Sequence, residues 1–102
     1  MDAAAPSPED CRSMTEVRAG VDALDEQIVT LLARRMRYMD AAARIKPRRD
    51  QVRDEQRKAD VIAHARAVAS RNGLDAELTA QLYELLVEAS IAHELRAFDA
   101  CR

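Results

Sequence analysis

From Val17 to Leu31 the apolar residues step along the chain by four and three, at Val17, Val21, Leu24, Ile28 and Leu31, with no proline until Pro47. That spacing lines one side of an α-helix, so one continuous helix over residues 15–46 is predicted. Ser13 or Thr15 can cap its start, and Glu16 suits the positive end of the helix dipole. Pro47 stops it, because proline disfavours helical geometry before it and removes a donor. Thirty-two residues at the helical rise span about 48 Å, whereas a compact chain of this size has a radius of gyration of only about 13 Å. A stripe that long outruns the chain's capacity to cover it. Two antiparallel copies would bury it, which predicts an obligate homodimer with a helical core. The alternative is a break at Gly20, which weakens the helix by about 1 kcal/mol relative to Ala.

The remainder reads as two further helices. One is predicted over residues 54–71, with Val61, Ile62, Ala65, Val68 and Ala69 as its apolar stripe and Asn72-Gly73 as its stop. The other follows a cap at Asp75 and runs to about residue 98, with Leu78, Leu82, Leu85, Leu86, Ala89 and Ala92 as its buried side. The segment PRRDQ between the first two is a short loop. The fold class is therefore all-α: three helices, one of them long, in a homodimer with a helical core. Residues 1–12 are expected to be a flexible extension and residues 13–102 the helical domain. Only two Gly and three aromatic residues in 102 argue against a sheet protein. No apolar run is long enough for a membrane span, and the acidic start MDAAAPSPED lacks the features of a signal peptide. A cytoplasmic protein with no membrane partner is expected. Cys11 and Cys101 make no zinc spacing with the histidines and are expected to be free thiols. His64 and His93 are expected at the surface.

Arg35 occupies the slot where the apolar series calls for another leucine, and Lys46 follows on the same face about three turns later. Cations aimed at a face to be buried need a carboxylate or an anionic ligand. The two sit in a basic block: residues 34–58 carry ten basic and four acidic side chains, while the chain as a whole has a net charge of −2. Such a block could grip nucleic acid or an anionic membrane, and could equally surround a pocket for a small polyanion. Tyr38 is its single aromatic residue, so a base-stacking surface is disfavoured. Arg18 lies about 25 Å before Arg35 along the helix. A small site could hold both only if an antiparallel partner helix supplied one of them.

The stretch VRAGVDALDEQIVTLLARR, the IK that follows, then VRDEQR and EASIAHE resemble the all-helical (type II) chorismate mutases over residues 14–98. The opening PEDC and the segment ARRMRYMDAAARIK are also similar to isochorismate-pyruvate lyases, close relatives with the same fold. The resemblance implies a site at each end of an intertwined helical homodimer, shared between chains, for a small dicarboxylate (chorismate or isochorismate). Arg18 of one chain and Arg35 of the other would bind its carboxylates, and Lys46 would reach the ether oxygen. Arg57 would add a cation near the ring carboxylate, and the Asp54 backbone would meet the ring hydroxyl. Ser90 and Glu94 would fill the remaining polar positions, Glu94 facing the ether oxygen. The chain departs from the pattern at Lys58, where many chorismate mutases carry a glutamate. If Lys58 points to solvent, hydroxyl recognition falls to Asp54.

This constellation suits a pericyclic reaction that needs no cofactor and no metal. Negative charge grows on the ether oxygen as its C–O bond lengthens, and fixed cations stabilise that state more than the ground state. Conversion of chorismate to prephenate is the leading expectation, with Lys46, Glu94 and Arg35 as the catalytic residues. Cleavage of isochorismate to salicylate and pyruvate is the alternative. A basic helical module binding nucleic acid is the non-enzymatic one, disfavoured by the net charge and by the burial expected for Arg35. Each residue also has a plainer role: Arg18 could pair with Asp22 or Asp25, Arg57 with Asp54 or Asp60, and Glu94 with Arg96 or a lysine.

Overall fold

The computed structural model describes residues 5–102; the first four residues of the expected N-terminal extension lie outside them. Three α-helices account for most of the chain: Met14–Ile45 (α1), Glu55–Arg71 (α2) and Ala76–Cys101 (α3). Short 3-10 turns occupy Pro8–Asp10 and Arg49–Gln51, and no strand occurs among the described residues. Inside α1 the chain divides into two units, one ending at Arg35 and the other comprising Met36–Arg102.

In the first unit Ser13 caps α1. Its Oγ accepts the Glu16 N–H at 3.2 Å, and the Glu16 carboxylate accepts the Arg12 N–H at 2.7 Å. The first bond satisfies a donor that a helix start leaves unpaired, and the second ties the residue before the cap to the first turn. The helix passes through Gly20 without a break. A side chain there would meet only the Ala5 Cβ, at 3.8 Å, so space does not demand glycine. Ala5, Pro6, Pro8 and Cys11 face Val17, Gly20, Val21 and Leu24 across an open groove of about 590 Å³. No α1 residue of this unit is buried. The predicted stripe stands open, with Val21, Leu24, Ile28 and Leu31 all exposed and Ile28 at 53%.

The second unit holds the core. Asp54 caps α2 by accepting the Arg57 N–H at 3.0 Å. Gly73, at φ 72°, takes the left-handed position that ends it, and the Leu74 N–H returns to the Ala69 carbonyl at 2.9 Å. Asp75 then caps α3 through the Glu77 and Leu78 N–H groups. Ala43, Val52, Val87, Ile91 and Phe98 form the centre, with Val61, Ile62, Tyr83 and Leu95 packed against it.

Two expectations for α3 need correction. It runs to Cys101, a few residues past the expected end. Its buried face is Thr79, Ala80, Val87, Ser90, Ile91, Glu94 and Phe98, whereas Leu78, Leu82 and Leu85 are exposed, Leu85 at 74%. The helix is apolar on more than one side, so its periodicity does not single out a face. Small residues then win the inner position near the α2–α3 connection, where Ala65 and Ala69 of α2 are also buried. Cys11 and Cys101 are free thiols. Among the described residues no helix is long and apolar enough to cross a membrane.

Candidate active site

Lys46 is the first residue past the end of α1, and its N–H still closes the last helical turn onto the Ala42 carbonyl at 2.9 Å. Its Nζ lies 2.7 Å from Glu94 Oε2 and 3.5 Å from the Val52 carbonyl. Glu94 is 4% exposed on the inner face of α3. A carboxylate this buried needs a counter-ion, and Lys46, at 30% side-chain exposure, brings one from the rim. The pairing is close but poorly aligned: Glu94 Oε2 accepts no hydrogen bond of normal geometry. The oxygen thus keeps acceptor capacity facing the lysine. An arriving anion would compete with it for Lys46.

Ser90 lies one turn before Glu94 and is equally buried, with its hydroxyl donating to the Leu86 carbonyl at 2.7 Å. Such back-bonding is common for serine inside a helix. Asp54 and Arg57 are exposed at the start of α2, their recorded bond being the cap from Asp54 to the Arg57 backbone rather than an ion pair. The structure therefore joins Lys46 to Glu94 and Asp54 to Arg57. Arg18 and Arg35 belong to the first unit, Arg18 exposed and Arg35 half-buried, about 25 Å apart along α1. No surface pairing of Arg18 with Asp22 or Asp25 forms among the described residues.

Lys58 does not point to solvent. Its side chain is 16% exposed and its Nζ bridges Glu84 at 2.8 Å and Glu88 at 2.7 Å. Arg53 reaches the same Glu88 at 2.7 Å and Glu55 at 2.8 Å, so five charges form a network from the start of α2 to the middle of α3. Arg53 first and Lys58 second hold the Glu88 carboxyl down to about 2, and Glu84 and Glu88 together raise Lys58. The i, i+4 spacing of Glu84 and Glu88 was the available signal, since it puts both on one helix face. His93 is also not a bare surface residue: it is half-buried, with Nε2 2.7 Å from Asp40. With Arg48 on Asp50 and Arg49 on Asp99 at 2.9 Å, at least five of the ten cations in the basic block are neutralised within the chain. That halves the charge the block can offer a nucleic acid backbone.

The fold and site thus define an all-helical protein whose long first helix delivers a lysine to a buried glutamate. Residues 17–95 match the chorismate mutase type II family, and the chain belongs to that family. It is also similar to the isochorismate pyruvate lyase of Pseudomonas aeruginosa, at 32% identity over 90 residues that cover 88% of this chain and 89% of that protein.

Proposed function

We propose that the protein is a chorismate mutase, acting as a homodimer in the cytoplasm with each site shared between chains. The carrying observation is the 2.7 Å contact between Lys46 and the buried Glu94. In the free protein the two neutralise each other. A bound dicarboxylate draws Lys46 toward its ether oxygen, where negative charge grows as the C–O bond breaks and the C–C bond forms. Glu94, when protonated, donates a hydrogen bond to the same oxygen. Arg35 and the partner's Arg18 hold the two carboxylates and fold the side chain over the ring, an orientation effect. Arg57 and the Asp54 backbone lie toward the ring carboxylate and hydroxyl, and Ser90 shapes the floor beside Glu94. Support for the dimer comes from the first unit: large aliphatic side chains along α1 stay exposed, beside an open apolar groove. Few monomers tolerate so continuous an apolar face.

Isochorismate cleavage is a second reading, favoured by the near full-length similarity to a lyase. There the C–O bond also breaks, and a ring hydrogen moves to the enolpyruvyl carbon as the ring becomes aromatic. The same cations serve that reaction. Incubating the purified protein with chorismate and, separately, with isochorismate decides between them. Prephenate from chorismate is expected. Salicylate and pyruvate from isochorismate, without prephenate from chorismate, would establish the second reading. Consumption of neither would sink both.

A further inference from the structure

The end of α1 carries a backbone defect. The carbonyl of Ala43 should receive the N–H four residues on, but that residue is Pro47, which has none. Ala43 is fully buried, at 0% exposure, so water does not replace the missing donor. A buried carbonyl left unsatisfied is costly. Arg102 supplies the donor: its Nη1 reaches the Ala43 carbonyl at 2.9 Å. Its Nη2 reaches the carbonyl of Lys46 at 2.6 Å. The guanidinium lies over the ring of Phe98, 3.7 Å from its centroid, and Phe98 is itself part of the core. One planar group therefore repairs the defect made by Pro47 and fixes the peptide of Lys46, whose side chain meets Glu94. A cation at the negative end of α1 also complements the helix dipole.

We infer that Arg102 is a positioning residue for Lys46: it holds the lysine's backbone so that Nζ is delivered to Glu94 and, on the reading proposed above, to the ether oxygen. Nothing in this role requires Arg102 to touch substrate. Lysine is a poor substitute, because it lacks the planar fork that spans two carbonyls while stacking on an aromatic ring.

The test compares wild type, Arg102→Ala, Arg102→Lys and Lys46→Ala in the full chain. Arg102→Ala should lose roughly ten- to a hundredfold in kcat, the scale expected when a reacting group is misplaced by about 1 Å, with little change in KM. Arg102→Lys should fall between it and wild type. Millimolar guanidinium should restore part of the kcat of Arg102→Ala and none of that of Lys46→Ala. A second readout needs no substrate: the Lys46 amide, bonded to the Ala42 carbonyl, should exchange with solvent faster in Arg102→Ala. An unchanged kcat, or a loss that follows only the folded fraction measured by circular dichroism, overturns the inference. If wild type converts neither substrate, the proposed function fails and the exchange experiment alone judges Arg102. Faster exchange at Lys46 then upholds the positioning role, and unchanged exchange overturns it.

Discussion

The two parts of α1 differ in a way their sequence hides. Up to Arg35 the helix carries valine, leucine and isoleucine at core spacing, yet none is buried. From Met36 on, its covered residues are Met36, Met39 and the three alanines Ala41, Ala42 and Ala43, the last sealed from solvent. Small residues let a neighbouring element approach closely within the chain. Large aliphatic residues need an equally large apolar partner, and the described residues of the first unit offer a short proline-bearing segment. A stripe at helical spacing says that a face will be covered. It does not say by which chain.

The sharpest way to break that comparison is to charge the exposed stripe. In a monomer Ile28→Asp touches a half-open residue and should be nearly silent, within about 0.5 kcal/mol. In the proposed dimer it buries a charge between two chains, costing at least about 3 kcal/mol per chain. Light scattering should show wild type at about twice the 11.4 kDa chain mass and the variant dissociated, with much of its helical signal lost. Wild type at the mass of a single chain would refute the dimer, and a variant that keeps a dimeric wild type's mass, stability and activity would place Ile28 outside the interface.

Lys46→Ala tests the second unit in the same spirit. Removing a cation from the reacting oxygen should raise the barrier by about 3 kcal/mol, a fall of two to three orders of magnitude in kcat. Stability should fall as well, because Glu94 loses the counter-ion its burial requires, so kcat is compared at equal folded fraction. A variant that loses affinity but keeps kcat would make Lys46 a binding residue only.

The proposed sharing of each site between chains has its own test. Arg18→Ala and Arg35→Ala should each be nearly inactive with helical content intact. Refolded together in equal amounts, half of the dimers are mixed and one of the two sites in each is whole. Recovery of roughly a quarter of wild-type activity is expected from that symmetry. Proven mixed dimers without recovery would mean that each site is built within one chain.

Much of this was legible in the sequence, and the failures have physical causes. Helix bounds followed from Ser13, Pro47, Asp54, Gly73 and Asp75, because caps and stops are local chemistry. The buried face of α3 was misassigned because Leu78, Leu82 and Leu85 advertise burial more loudly than Ala80 and Ser90, although the smaller residues face the core. The family resemblance named Lys46 and Glu94, but their contact is tertiary and no spacing reveals it. Lys58 misled for the same reason, since its partners lie about one helix away along the chain. Arg102 carries no signal in the sequence. Its role depends on a carbonyl that Pro47 leaves bare, visible only once α3 is packed against the end of α1.

Smaller in size but direct on mechanism is Glu94→Gln. If Glu94 faces the ether oxygen, the ionised form repels growing negative charge and the protonated form donates to it. Wild-type turnover should then rise as pH falls, until other groups or the fold intervene. Glutamine keeps the shape and carries a permanent donor, so its rate should be flatter with pH and a few-fold higher near neutrality. Identical pH–rate profiles for the two proteins would remove Glu94 from the reacting oxygen.

The smallest effect concerns the charge network that ties α2 to α3 and has no counterpart in the exposed stripe of the first unit. Glu88 titrates at about 2 in the folded protein against an ordinary value of 4.5, because Arg53 and Lys58 both hold it ionised. A carboxyl whose folded pKa is depressed contributes stability that is fully present above the ordinary value and lost as pH falls through the folded one. The contribution should therefore shrink between about pH 4.5 and 2, and below that window wild type and Glu88→Gln should be equally stable. The Glu88 side chain is 40% exposed, so solvent and salt screen the network and the difference will be slight. Urea midpoints of both proteins across the window, at low and high salt, measure it. A gap between them that stays constant with pH would mean that Glu88 acts through packing rather than charge.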